Sequence, residues 1–383
     1  MKIAVLSTAN IPSTRANSLQ TMKVCQALAQ LGEDVCLWVP GNIAHAWEDL
    51  ASPYGVQEAF PIRFLPTAGF WRRYDFAWKA VEAAHRWQAE VIYTRALPAT
   101  MLALQRRMPV ILELHDLPAG RIGKSLFRNY LALSGRKTTV FITEALRRLV
   151  GEAYGVDLPD KNNPVLPDGI DLERYANLPP AAEARRRLGL AEGFTLGYTG
   201  SFYQGRGIEL LASLAGKLLH MQHLWIGGSG EVLEKWRKNI QDEAWRHVHL
   251  AGYISNDKIP IYQAAADVLL MPYGRSVSGS SGGDIARVFS PLKMFEYMAA
   301  GRPIVAADLP VLHEILDERT AVFCPVEDEE AWVNALQALM DDPQRREQLA
   351  SAAREKVQSY SWKARMQAIL AIHESNKDQP TGR

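Results

Sequence analysis

The chain has 383 residues, of which 48% are hydrophobic and 22% charged, with a formal net charge of +1. That length suits two domains of similar size rather than one ordinary core. A near-neutral balance gives no general case for nucleic-acid binding, so any basic patch must be local. Cys25, Cys36 and Cys324 lie far from any metal-ligand spacing or disulfide framework and fit a reducing compartment. The opening residues are too short for a signal sequence, and no apolar run reaches spanning length. The expected location is the cytoplasm or the inner face of its membrane.

From the N-terminus, residues 3–6 read as a buried strand. The loop that follows runs to Asn17, and an amphipathic helix is expected over 18–31, closed by Gly32. Further strands are expected at 35–39, 62–65, 91–94, 110–115 and 139–143, with helices between them. This alternation predicts a parallel sheet covered on both faces. Ligands of such sheets sit at the carboxyl ends of the strands. Two places there stand out: His115 with Asp116, and the polar loop at Asn17 and Ser18. A histidine in that position either faces the crevice or is satisfied by a backbone carbonyl. Glu113, in mid-strand, is either at a sheet edge or paired with an arginine such as Arg95.

An aromatic and basic stretch, Phe70, Trp71, Arg72, Arg73, Tyr74, Trp78 and Lys79, lies in this half. Arg121, Lys124, Arg128, Arg136 and Lys137 follow it. Such residues can rest on an anionic membrane surface, where a lipid-linked acceptor would be, or can form a solvated helix face over a core.

The turn-rich run 163–171 and Pro179-Pro180 mark a hinge. The expected domains are 1–172 and 173–360, with a last helix at 361–377 crossing back onto the first. The second series of strands is expected at 194–199, 224–226, 248–251, 268–271, 304–306 and 321–323. Two doubly wound domains facing each other would enclose one cleft. Between the first two of these strands, Gly200 to Gly207 forms a loop suited to tight turns. Its Arg206 offers a planar fork for a diphosphate. Gly227-Gly228-Ser229-Gly230 is a weak dinucleotide signature: it does not follow the first strand and no acid lies near position 250. That argues against a nicotinamide enzyme.

The run from Val277 to Asp284 contains G-x-S-x-G centred on Ser281, with Asp308 and His313 later in the chain. A hydrolase elbow needs a strand leading in and a helix leading out. Neither is present, so the segment reads as a mobile loop. Residues 290–301 then read as a complete short helix. Ser290 is the expected N-cap, Pro291 the first helical residue and Gly301 the left-handed terminator. The amides of Leu292 and Lys293 would make an anion site, and Glu296 could accept both hydroxyls of a ribose diol. The bland alternative is an exposed Lys293–Glu296 ion pair.

Ser290 to Gly301 followed by Arg302-Pro303-Ile304-Val305-Ala306-Ala307 resembles the signature segment of family 4 retaining glycosyltransferases. The likeness extends to Pro167-Asp168-Gly169-Ile170-Asp171, to Gly200–Gly207, to Leu250-Ala251-Gly252-Tyr253 and to Tyr360-Ser361-Trp362. It implies an α/β architecture of the GT-B type: two Rossmann-like doubly wound domains with an interdomain cleft for a nucleotide sugar. By position, the resemblance implies that Glu296 binds ribose. It puts Pro291, Leu292 and Lys293 at donor sugar and phosphate, and Arg206 on the diphosphate. Gly252, Tyr253 and Ile254 would meet the base and His115 the donor sugar. Asn17 and Ser18 would approach the diphosphate or acceptor from the first loop. The chain departs from the family at Val288, where a second glutamate is usual, and Asp284 is the expected substitute. Ser201 stands where a second basic residue often follows Gly200, and the first loop lacks the family's glycine pair.

The function implied is transfer of a hexose, with UDP-glucose the first choice of donor, to a glycan or lipid-linked acceptor in polysaccharide or glycoconjugate synthesis. No strict D-x-D metal signature occurs, so no metal or cofactor is expected beyond the donor itself. Arg206, Lys293 and helix-end amides would meet the leaving-group charge. A sugar-nucleotide epimerase of the same fold, or a non-catalytic nucleotide-sugar binder, is the alternative.

Overall fold

The computed structural model describes residues 1–68, 72–240, 243–279 and 283–376, with the backbone alone for Arg72 and Arg73. Phe70, Trp71 and Ser281 lie outside the described residues. The chain divides into two compact units, Met1–Asp168 with Trp362–Arg383, and Gly169–Ser361.

The first unit contains β1 (Lys2–Leu6), β2 (Asp34–Pro40), β3 (Ile62–Leu65), β4 (Val91–Thr94), β5 (Val110–Leu114) and β6 (Lys137–Phe141). They pair in parallel in the order β3-β2-β1-β4-β5-β6. The inner strands β2, β1, β4 and β5 are short, mainly apolar runs buried on both faces, as a sheet covered by helices requires, while the edge strand β3 is partly exposed. Strand order reverses between β1 and β4, the place where such sheets bind ligands. Because β5 lies between β4 and β6, Glu113 is not at an edge.

Two elements differ from expectation for identifiable reasons. The first helix, Ala16–Gln30, is not amphipathic: every residue from Gln20 to Leu28 is buried. The C-terminal helix Trp362–Ser375 packs against it and covers the face that would otherwise meet water. Its buried polar groups are answered locally: Lys23 Nζ donates to the Gly55 carbonyl at 2.6 Å, and Gln26 Oε1 accepts from the Gln57 amide at 2.5 Å. Strand β6 starts at Lys137, two residues earlier than expected, and stops at Phe141. Thr143 instead caps the helix Glu144–Tyr154, accepting from the Leu146 amide at 3.1 Å.

The second unit contains β7 (Thr195–Thr199), β8 (Gln222–Ile226), β9 (Val248–Gly252), β10 (Val268–Met271), β11 (Ile304–Ala307) and β12 (Val322–Cys324). These pair in parallel in the order β12-β11-β10-β7-β8-β9. Here the order reverses between β7 and β10. The loop from Gly200 to Gly207 leaves the carboxyl end of β7 at that point, and the helix Leu292–Ala300 leads into β11.

Candidate functional site

In the second unit the loop after β7 wraps a buried lysine. Gly200 has φ +150°, and a Cβ there would lie 2.6 Å from Lys293 Nζ, so only glycine lets the ammonium sit against this backbone. Lys293 Nζ lies 3.8 Å from the ring centroid of Tyr198 and 5.3 Å from that of Tyr273. Among the described residues it has no hydrogen-bond partner. Burial, reinforced by the nearby Arg206 charge, pushes the Lys293 pKa well below that of an ordinary lysine, with Glu296 acting in the opposite sense.

Arg206 sits beside it, with its guanidinium carbon 5.7 Å from the Tyr273 ring centroid. Its Nη2 donates to the Ser278 carbonyl at 3.4 Å, while its Nε is buried without a partner among the described residues. Gly207, with φ +87°, ends the loop where a Cβ would fall 1.9 Å from the Pro272 carbonyl oxygen. Two cationic side chains with unmet buried donors are costly in a folded chain. The arrangement suits a polyanionic ligand that supplies the missing acceptors.

The helix carrying Lys293 begins one residue later than expected. Pro291 is its N-cap, extended at φ −78° and ψ 124°, and no side chain caps it. Ser290 therefore lies before the cap and is buried. Its hydroxyl is not the N-cap acceptor, and Pro291 is not the first helical residue, because the ψ of the proline keeps it outside the helix. Leu292 and Lys293 open the first turn, and Gly301 closes the helix in the left-handed conformation at φ 62°. The exposed ion-pair alternative fails. Lys293 is buried, and Glu296 Oε2 accepts instead from Gln263 Nε2 at 3.0 Å.

The remaining expected residues of this unit have assorted surroundings. The Ser201 carbonyl accepts from Tyr198 Oη at 2.9 Å. Gly252 closes β9 with φ +71°, and its carbonyl accepts from the Gly227 amide at 2.7 Å. Tyr253 is about half exposed, and Ile254 packs on the cluster of Ala184, Leu224, Ile226, Ala264 and Ala265. Asp284 is exposed, and its Oδ1 accepts the amides of Val277 at 2.9 Å and Ala286 at 3.0 Å. Those two amides hold its pKa below the usual carboxylate value. As placed, it pins its own loop, whereas Val288 is buried in the core.

In the first unit, a buried ionic network surrounds Glu113. Its Oε1 accepts from Arg95 Nε at 3.1 Å and Nη2 at 2.8 Å, and from His115 Nε2. Its Oε2 meets Arg365 Nη2 at 2.8 Å and Tyr93 Oη. Gln20 links Arg95, at 3.0 Å, to Asp168. His115 is thus held by a carboxylate rather than a backbone carbonyl. Burial, followed by Arg95, lowers its pKa against the opposing pull of Glu113. Ser18 is fully buried, and its hydroxyl donates to the Asn10 carbonyl at 2.8 Å and more loosely to Asn17 Oδ1 at 3.4 Å. It closes the loop after β1, and the Asn17 carbonyl accepts from Thr21 Oγ1 at 2.8 Å.

The basic run splits in two. Lys137 Nζ donates to the carbonyls of Tyr130, Leu131 and Leu133, at 2.7, 2.8 and 2.7 Å, at the end of the helix Gly120–Ala132. Burial brings its pKa down to about 8. Arg136 donates to the His373 carbonyl at 3.1 and 2.8 Å, on the C-terminal helix. Neither belongs to a surface patch. Arg121, Lys124 and Arg128 are exposed.

Arg365, Tyr93, Gln20 and Gln263 do not emerge from the sequence reading. A signal for Arg365 exists: it occupies the buried stripe Trp362, Arg365, Met366, Ile369 and Leu370, where a charge requires a partner. Among the described residues no group of three or more His, Cys, Asp or Glu could hold a metal ion, and no helix is long and apolar enough to cross a membrane.

Comparison with known proteins gives consistent matches. The family model described as Glycosyltransferase Family 4 matches residues 20–174, and that described as Glycosyl transferases group 1 matches residues 193–342. A phosphatidyl-myo-inositol mannosyltransferase of Mycolicibacterium smegmatis is 24% identical over 370 residues, 92% of this chain and 88% of that protein. A D-inositol 3-phosphate glycosyltransferase of Kineococcus radiotolerans is 26% identical over 280 residues, 67% of this chain and 60% of that one. The crystal structure of Anabaena HepE in complex with UDP-glucose superposes with a TM-score of 0.74 at 18% identity, covering 98% of this chain and 100% of that one. That last likeness is one of fold.

Proposed function

The chain belongs to glycosyltransferase family 4 and has the GT-B fold, and from this premise we propose that it is a retaining hexosyltransferase. Its donor is a nucleoside-diphosphate sugar, UDP-glucose before others, and its acceptor a glycan or lipid-linked sugar. The observation that carries the reading is the pair of buried donors, Lys293 Nζ and Arg206 Nε, that find no acceptor among the described residues at the switch point of the second sheet. A diphosphate would supply acceptors to both. Charge builds on its oxygens as the glycosidic bond breaks, and preorganised cations then stabilise the transition state more than the ground state. The amides of Leu292 and Lys293 add the positive end of a helix dipole. Glu296 accepts the ribose hydroxyls, and the backbone from Gly252 to Ile254 meets the base. HepE was crystallised with UDP-glucose, which supports a uridine donor.

The test is a thermal-shift screen of UDP-, GDP- and ADP-sugars against wild type and Glu296→Ala. One sugar nucleotide should raise the melting temperature of the wild type. Loss of the carboxylate should weaken its binding about 10- to 100-fold, the worth of a charge-assisted hydrogen bond or two. Equal shifts in both proteins would remove the ribose assignment. A non-catalytic binder is favoured by one observation, the buried Val288 with Asp284 tied to its own loop. Product analysis separates it from a transferase, and from an epimerase that converts the donor without acceptor.

A lipid-linked acceptor agrees with the exposed side of the first unit. Arg121, Lys124 and Arg128 share one helix with Ile122, which is 64% exposed, and Tyr74 and Trp78 are exposed on another helix. Sedimentation with anionic vesicles should show binding at low salt that falls as ionic strength rises. Absence of binding at low salt would exclude the membrane contact.

A further inference from the structure

We propose that Gln263 is a positioning residue of the nucleotide site, fixing the Glu296 carboxylate in the orientation that meets a ribose diol. The inference rests on the reading of Glu296 given above and adds to it the group that sets its geometry. Gln263 lies on the helix Ile259–Ala264 and is fully buried. Its Nε2 donates to Glu296 Oε2 at 3.0 Å and to Thr199 Oγ1 at 3.2 Å, and its Oε1 accepts from Tyr175 Oη at 3.0 Å.

The direction of each bond follows from chemistry. A carboxylate only accepts, so the amide NH2 must face Glu296. The amide carbonyl then faces Tyr175, whose hydroxyl must donate. Burial, with the Glu296 charge second, keeps the Tyr175 pKa well above the ordinary phenol value, so its proton stays in place. Thr199 is itself fixed, since its amide and hydroxyl reach Tyr297 Oη at 2.8 and 3.2 Å. Three elements therefore converge on one side chain: the turn Leu172–Tyr175, the end of β7 and the helix Leu292–Ala300. Among the described residues Glu296 Oε1 accepts no hydrogen bond. One oxygen of the carboxylate is anchored and the other is left for a ligand hydroxyl.

Core glue and positioning predict different results. Calorimetry would compare a nucleoside diphosphate, whichever of UDP, GDP and ADP binds, with its 2′-deoxy counterpart. The proteins are wild type, Glu296→Ala, Gln263→Met, Gln263→Glu and Tyr175→Phe. Wild type should prefer the ribonucleotide by about tenfold or more, and Gln263→Met should lose most of that preference while still binding the deoxynucleotide. Gln263→Glu places two carboxyls together, so its preference should be lost near neutral pH and return on acidification, as one proton becomes shared. Tyr175→Phe, which only frees the amide to flip, should show a smaller loss and guards against a misfolded methionine variant. If Gln263→Met and Tyr175→Phe keep the wild-type preference while Glu296→Ala abolishes it, Gln263 is structural and the proposal fails, with the ribose reading intact. If Glu296→Ala keeps the preference, both fall.

Discussion

Arg206→Ala is expected to lower turnover about 10²- to 10³-fold, the scale seen when one preorganised charge-stabilising donor is removed from a transition state. The argument starts from the loop: Gly200 and Gly207 bring its backbone against Lys293 and Pro272, where no side chain would fit. That leaves the guanidinium beside the Tyr273 ring, its Nε unpartnered among the described residues. A group so placed gains most when leaving-group charge is greatest, so kcat should fall more than donor affinity. Arg206→Lys restores a charge but not the fork, and should recover only part of the rate. Initial rates of nucleoside-diphosphate release, with donor and acceptor varied separately, read both numbers. Wild-type turnover in Arg206→Ala would contradict the role given to this loop.

Lys293 shows what a sequence conceals about such a group. From spacing it could be either a surface partner of Glu296 or a ligand contact, because three residues apart on a helix serves both. The choice depends on Tyr198 in β7 and Tyr273 just after β10, far from Lys293 in different parts of the sequence, whose rings lie against the ammonium. The strands themselves were easier. All twelve expected strands are present, since a short apolar run bounded by turns has few other uses in a chain of this alternation. Their ends moved where a side chain took another task, as Thr143 did in capping a helix.

Polar residues at core positions were the weak point. Gln263 looks like an ordinary surface residue of its helix when read locally, and Arg365, though its place in an apolar stripe calls for a partner, does not say which one. Each is identified only by partners far away in sequence, Tyr175 and Glu296 for one, Glu113 and Leu166 for the other. Glu113 was the exception, because a charge inside a buried strand demands an explanation. Its pairing with Arg95 could be named in advance, whereas the second arginine could not.

Glu113→Gln is accordingly expected to destabilise the first unit by about 3–5 kcal/mol, the cost of removing one partner from a buried ion cluster. The neutral amide would leave Arg365 buried without its counter-charge, and Arg95 without its carboxylate partner just beyond β4. For a unit of this size that corresponds to a fall in melting temperature of roughly 6–20 °C. Burial alone would raise the Glu113 pKa, but Arg365 and then Arg95 and His115 outweigh it and hold it well below the usual glutamate value. The folded pKa is therefore below the unfolded one. The stabilisation is complete above the unfolded value of about 4.3 and is lost as pH falls from there through the folded value. Asp168 works the other way: burial raises its pKa against the opposing charges of His115 and Arg365, so it offsets part of the acid loss. Urea unfolding between neutral and acid pH should give a shallower decline for Glu113→Gln than for wild type. Arg365 also donates to the Leu166 carbonyl at 3.1 Å and the Pro167 carbonyl at 2.7 Å. The C-terminal helix should consequently exchange its amide hydrogens faster in the variant while β7–β12 remain protected. Parallel pH curves for the two proteins would mean that Glu113 is not what couples this helix to the sheet.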